Sequence, residues 1–123
     1  MDYAELGWQE AVVLGCAKQQ GVLEAVADGD RTADEVAIRL GLNPRAVRAL
    51  LSALAEIGVL AEQRDRFRLL EEHRGPLQEK SHPDYAGGLV VHRCELIRKW
   101  GRMNAHILDI GGVPGTYAEA CVP

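Results

Sequence analysis

Two helix starts separated by a glycine constrain the fold of this chain more than any other feature. Thr32 and Glu35 have the spacing of a capping box, in which the hydroxyl and the carboxylate satisfy free backbone N–H groups at a helix start. Gly41 is typical of a helix end, and Asn43 followed by Pro44 is typical of the next helix start. The pattern predicts two helices joined by a tight turn.

The second of these helices has a regular apolar face, and a hairpin is predicted after it. Apolar residues recur at three- and four-residue spacing, at Val47, Leu50, Leu51, Leu54 and Ile57. Gly58 ends the helix, and alternating residues on either side of Gln63-Arg64-Asp65 predict two short strands. A helix, a tight turn, a longer helix and a hairpin form the order of a winged helix-turn-helix.

The flanking segments complete a mainly α prediction. We predict a helix with a broad apolar face at residues 3–18 and a short helix at 22–27. A polar loop is predicted at 73–82, a C-terminal helix at 83–103 and a strand without partners at 105–110. The predicted fold is a winged helix-turn-helix with a small β-hairpin wing, an added C-terminal helix and a short orphan strand. The predicted divisions are a winged-helix domain at 1–80, the helix at 81–103 and the start of a further domain at 104–123.

Composition places the chain among ordinary globular proteins. Hydrophobic residues make up 47% and charged residues 26% of the 123 residues, and no apolar run approaches the ~20 residues of a membrane span. The acidic N-terminus is unlike a secretory signal, and Cys16, Cys94 and Cys121 are an odd number without Cys-x-x-Cys spacing. These features predict a cytoplasmic protein with free thiols and no membrane partner.

Arginines in the predicted recognition helix and hairpin suggest one function, the binding of DNA. Arg45 and Arg48 occupy outward positions where DNA readers contact base edges. Arg64, Arg66 and Arg68 on the hairpin could meet phosphates. Residues 31–70 carry seven arginines against five acids, but the whole chain has a formal net charge of -4. Because this charge is far from the basic footprint of a nucleic-acid binder, DNA binding is kept only as the alternative function.

A glycine cluster after an apolar run suggests another function, the binding of a nucleotide-like cofactor. Ile107, Leu108 and Asp109 lead into Gly111-Gly112-Val113-Pro114-Gly115. Such a run is how a parallel strand turns into a helix whose N–H groups face a ligand. An ordinary Gly-Pro turn is the competing interpretation.

No other catalytic or metal-binding set emerges. His73, His82, His92 and His106 lack the spacing that would gather a metal, and no nucleophile–base set can be assembled. We therefore expect no catalytic residues and no metal site.

The chain from Leu14 to Leu77 resembles the N-terminal domain of S-adenosylmethionine-dependent small-molecule O-methyltransferases. The resemblance is carried by three stretches, which are Gly21 to Val26, Thr32 to Ala37 and Gly41 to Leu51, and by Leu54 with Ile57 to Leu60. It implies a winged-helix dimerisation domain that does not read DNA. The tail from Ile107 to Tyr117 resembles the first cofactor motif of the same family.

The resemblance assigns Asp109, Gly111, Gly112 and Gly115 as vestigial contacts to S-adenosylmethionine. Val113 departs from the family's pattern, since a glycine usually stands there, and the connector before the motif is short. The family's remaining strands and its histidine base do not follow.

These observations predict a dimerisation domain of an O-methyltransferase-like protein, truncated or degenerate, without activity of its own and without bound cofactor. The expected partner is a second copy, and a separately encoded methyltransferase domain is a further candidate. A winged-helix transcription regulator is the alternative.

Overall fold

A computed structural model describes residues 1–103 of the chain, which are mainly helical with a small three-stranded antiparallel sheet. The predicted strand at 105–110 and the glycine cluster lie outside the described residues. In chain order the elements are α1 (Trp8–Gln19), α2 (Val22–Ala27), β1 (Arg31–Thr32), α3 (Ala33–Leu40), α4 (Pro44–Glu56), β2 (Leu60–Gln63), β3 (Arg66–Leu69), α5 (Glu71–Gln78) and α6 (Gly87–Gly101).

The two predicted helix starts are confirmed at α3 and α4. The Thr32 hydroxyl accepts the Glu35 N–H at 3.1 Å, and the Asn43 side chain accepts the N–H groups of Arg45 and Ala46 at 2.9 and 3.2 Å. Gly41, between the helices, has a φ of 67° that favours glycine. Only half of the predicted capping box forms, because the Glu35 carboxylate lies against the Thr32 hydroxyl instead of the Thr32 N–H.

The predicted hairpin is confirmed, and a strand that was not predicted joins it. β3 lies at the centre of the sheet, antiparallel to both β2 and β1. The hairpin turn contains Arg64 and Asp65 with φ of 54° and 61°, the left-handed pair typical of a two-residue I′ turn. Phe67 on β3 is paired with Glu62 on one side and Arg31 on the other, and its ring is buried in the core.

Helices α1 and α6 pack tightly against each other, so α6 covers part of the broad apolar face predicted for the first helix. α1 begins at Trp8 rather than Tyr3 and buries Ala11, Leu14, Gly15 and Ala17. A side chain at Gly15 would meet the Cβ of Cys94 and would lie 2.6 Å from the Val90 carbonyl oxygen. The absence of a side chain at Gly15 therefore sets the distance between the helices.

The prediction of a loop at residues 73–82 is wrong over most of that range, because α5 occupies Glu71–Gln78. The sequence of α5 is polar and contains Pro76, and both features argue locally against a helix. The helix nevertheless buries Leu77 and His73 against the core, and this tertiary packing outweighs the weak local preference. α6 likewise begins at Gly87 instead of Pro83.

Candidate functional site

An apolar groove runs between α1 and α4 on the surface of the domain. We call it the α1/α4 groove, a hollow of about 640 Å³. It is lined by Val13, Cys16, Gln20, Leu42, Asn43, Ala46, Val47, Ala49, Leu50 and Ala53. The lining contains no charged side chain, although α4 is the helix that would carry basic residues in a DNA reader. Small side chains at Ala46 and Ala49, which are exposed, leave the groove open to an approaching helix.

The arginines proposed for DNA contact are paired with acids in three places. Arg48 on α4 lies 3.8 Å from the Asp65 carboxylate in the hairpin turn. Arg66 lies 3.3 Å from Glu35 and also donates to the Asp30 carbonyl.

The third pair joins Arg68 to Asp30 at 3.8 Å, while Arg45 and Arg64 are exposed. The structure thus brings Arg48 and the hairpin together, but through carboxylates that lower the local positive potential. Exposed pairs of this kind contribute little to stability. These ion pairs matter for DNA binding, because each carboxylate neutralises an arginine charge that would otherwise attract a DNA phosphate.

A buried tyrosine–histidine pair was missed from the sequence. The Tyr3 hydroxyl lies 2.6 Å from Nδ1 of His73, and both side chains are buried. Burial, with the Glu72 carboxylate adding to it, raises the pKa of Tyr3 to about 12, so the phenol donates and the imidazole accepts. Burial also lowers the pKa of His73 below its ordinary value of 6.5, against the opposing influence of Glu72.

Arg93 holds the same N-terminal segment on α6. Its guanidinium donates to the carbonyl oxygens of Tyr3 and Leu6 at 3.0 and 2.6 Å. The segment before α1 is thus held by the side chains of His73 and Arg93, which are both distant from it in sequence. No local sequence pattern could therefore reveal these contacts.

Replacing His73 by Asn should remove part of the pH dependence of stability. The amide oxygen of Asn can accept the Tyr3 hydroxyl but does not titrate. In the parent chain burial lowers the pKa of His73, so stability should fall as the pH drops below about 6.5, where the unfolded histidine takes up a proton more readily than the folded one. Urea unfolding from pH 7 to pH 5 would measure this, and parallel pH profiles of the two proteins would contradict it.

The residues proposed for cofactor contact, Asp109, Gly111, Gly112 and Gly115, lie outside the described residues. Within residues 1–103 no group of three or more His, Cys, Asp or Glu side chains could hold a metal ion. No helix in that same part of the chain is long and apolar enough to cross a membrane.

Comparison with known proteins confirms the resemblance. No family model matches the chain. A 3-hydroxy-5-methyl-1-naphthoate 3-O-methyltransferase from Streptomyces sahachiroi is 36% identical over 84 residues, which cover 68% of this chain and 24% of that enzyme. The chain therefore spans about a quarter of the length of this curated relative.

Solved structures of similar fold include a protein with bound SAH and a methyltransferase. The structure of PigF with SAH matches with a TM-score of 0.66 and 26% identity, over 84% of this chain and 31% of PigF. The N,N-8-amino-8-demethyl-D-riboflavin dimethyltransferase RosA from Streptomyces davawensis matches with a TM-score of 0.64 and 26% identity. That match covers 94% of this chain and 34% of RosA.

Proposed function

We propose that this chain, which is similar to an O-methyltransferase in sequence and to a methyltransferase in fold, is a winged-helix dimerisation domain of an O-methyltransferase-like protein. The partner is a second copy of the same chain. The observation that carries the proposal is the uncharged, mainly apolar α1/α4 groove, because such a lining suits a second protein surface and offers no charge to a phosphate.

The groove has the properties of a self-association surface. Its centre is apolar, and charged residues are depleted at the centres of protein interfaces. The exposed Ala46 and Ala49 allow a second helix to come close, while Leu42 and Leu50 are half-buried and offer apolar area at the edge. Two copies related by a twofold axis would bury the same groove on both sides, as in most homodimers.

The alternative, a DNA-binding regulator, has less support. Arg48, Arg66 and Arg68 are each paired with a carboxylate, and the chain is acidic overall. Duplex affinity requires several phosphates to be neutralised by free cations. These arginines instead form exposed ion pairs that link the hairpin to α4, to α3 and to the segment before β1.

The described residues do not fit S-adenosylmethionine. A cofactor loop of this kind follows a parallel strand and begins a helix, whereas the sheet in residues 1–103 is antiparallel. The proposed role of this part of the chain is therefore assembly, and methyl transfer would depend on residues beyond it.

The substitution Ala49→Glu tests the proposed interface. Glutamate is a good helix former, and Ala49 is exposed, so the fold should persist. In a dimer the two introduced carboxylates would enter an apolar interface, which should raise the dissociation constant at least about a hundredfold. Sedimentation equilibrium would measure it.

Ile38→Glu is the matched control, because Ile38 is 82% exposed on α3 and lies outside the groove. It adds the same charge to a helix surface and should leave the dissociation constant unchanged. Equal weakening by both substitutions would show that net charge, rather than the groove, controls association.

A further inference from the structure

A stripe of large apolar side chains lies on the exposed side of α6 and continues just past the end of the helix. Leu89, Leu96 and Met103 follow one another at seven-residue spacing, and Trp100 lies within the last interval. Leu89 and Leu96 are each 39% exposed, and the two others are 54% (Met103) and 71% (Trp100) exposed. Seven-residue spacing keeps apolar side chains on one side of a helix, as two packed helices require. We call these four residues the α6 stripe.

The start of α1 widens this surface. Trp8 is 65% exposed, and together with Leu96, Ile97 and Trp100 it lines a hollow of about 440 Å³. Clustered exposed apolar groups of this kind mark binding surfaces. None of these residues lines the α1/α4 groove, so the stripe is a separate surface.

The first end of the α6 stripe is acidic. Leu89 borders a second hollow, between the N-terminal segment, α5 and the start of α6. Among the described residues that line this hollow are three acids, Asp2, Glu72 and Asp84, and no lysine or arginine. A partner that covers Leu89 would therefore meet negative charge at its edge.

The other end of the α6 stripe is basic. Arg98, Lys99 and Arg102 are all exposed there. Glu95 offsets one of these charges, because its carboxylate lies 3.2 Å from the Arg98 guanidinium. Lys99 and Arg102 thus give this end its positive charge.

We infer that the α6 stripe binds the α6 stripe of a second copy, with the two helices antiparallel and a twofold axis near Leu96. Leu96 then meets the partner's Leu96, and Leu89 lies beside the partner's Met103. Antiparallel pairing brings the acidic end of each stripe to the basic end of the other. Parallel pairing would bring like charges together, which is unfavourable.

The contact is small and should be weak. The stripe and Trp8 expose on the order of 500 Å² in each copy, so pairing would bury about 1,000 Å², below the usual range of stable complexes. We expect a dissociation constant on the order of 0.1–1 mM. The pairing therefore adds to any association through the α1/α4 groove at high concentration and does not depend on it.

Disulfide cross-linking tests both the partner and the direction of pairing. The background is the full chain with Cys16, Cys94 and Cys121 replaced by alanine. At submillimolar concentration under mild oxidation, Leu96→Cys should form disulfide dimers at least about tenfold faster than a cysteine outside the stripe, because pairing raises the local thiol concentration. Ile38→Cys is that matched control, since Ile38 is 82% exposed on α3.

A second pair of cysteine variants fixes the direction. Leu89→Cys should cross-link slowly with itself but rapidly when mixed with Met103→Cys, because antiparallel pairing places residue 89 beside residue 103 of the partner. In a parallel pair Leu89→Cys would instead cross-link rapidly with itself.

Charge reversal tests the complementarity of the two ends. Added to Leu96→Cys, the exposed substitutions Lys99→Glu and Arg102→Glu should slow cross-linking at least about fivefold, because acids would then face acids. Further addition of Glu72→Lys and Asp84→Lys should restore most of the rate. A rate that stays slow in the fourfold charge variant would contradict the antiparallel arrangement.

Other results would also overturn the inference. Equal cross-linking of Leu96→Cys and Ile38→Cys would show only random collision. A Leu96→Cys thiol that neither cross-links nor reacts with a soluble thiol reagent would show that another part of the chain, rather than a second copy, covers the stripe. Adding Ala49→Glu should leave the Leu96→Cys rate unchanged, and loss of the cross-link there would mean that the stripe does not associate by itself.

Tryptophan emission gives a test without any substitution, should the cysteine-free background fail to fold. Trp8 and Trp100 are the only tryptophans of the chain, and both lie at the proposed contact. Their emission should shift to shorter wavelength as the concentration rises from micromolar to millimolar. Constant emission over that range would contradict the pairing.

Discussion

Phe67→Ala is expected to lower the free energy of unfolding by about 3–5 kcal/mol, the usual cost of removing a buried phenylalanine ring. Phe67 is the only phenylalanine of the chain and is 1% exposed. It lies on the central strand, between β1 and β2, and α2 also packs against this strand. The cavity left by the ring would lie in the buried core, beside the central strand of the sheet.

Urea unfolding followed by circular dichroism would measure this effect. Ile38→Ala is the control, because its side chain is 82% exposed and its loss should change stability by less than about 0.5 kcal/mol. If the two variants lost similar amounts of unfolding free energy, the Phe67 ring would not be a main component of the core.

Gly15→Ala is expected to destabilise the chain by about 1–3 kcal/mol, the range for overpacking a tight interior. The added methyl group would collide with Cys94 and with the backbone carbonyl of Val90. Because one of these obstacles is backbone, no side-chain rotation relieves it, and α1 must move away from α6. Thermal unfolding would report the loss as a lower midpoint.

Gly88→Ala provides a control of opposite sign. Gly88 lies in the first turn of α6, and a side chain there would meet nothing within 4 Å. The substitution should stabilise the helix by about 0.5–1 kcal/mol, since alanine restricts the unfolded chain more than glycine does. A stabilising Gly15→Ala would contradict the close approach of the two helices.

The centre of the fold could be predicted because its signals are local. Thr32, Gly41 and Asn43 act on backbone groups within a few residues of themselves, and these contacts form as expected. The hairpin follows from alternation around Arg64 and Asp65. Caps and turns of this kind are encoded over short distances, so no tertiary information was needed.

The elements that prediction missed depend on distant partners. β1 is two residues long and exists because Arg31 and Thr32 meet β3. α5 is stabilised by the burial of His73 and Leu77 rather than by its own composition. The broad apolar face of the first helix was recognised, but only the structure identifies α6 as the element that covers it.

The candidate site shows the same division. The sequence predicted an apolar periodicity along α4, but it could not separate the core side of that helix from the side that lines the α1/α4 groove. Leu51 and Leu54 are buried and do not line the groove, whereas Ala49 is exposed and lines it. The Tyr3–His73 pair could not be foreseen because seventy residues separate its members.

Multi-angle light scattering of the unmodified chain at micromolar concentration tests the central claim most directly. A homodimerisation domain should elute with twice the 13.4 kDa mass of the single chain, and Ala49→Glu should elute with the single-chain mass. A single-chain mass for the unmodified protein, constant over the accessible concentrations, would contradict the account.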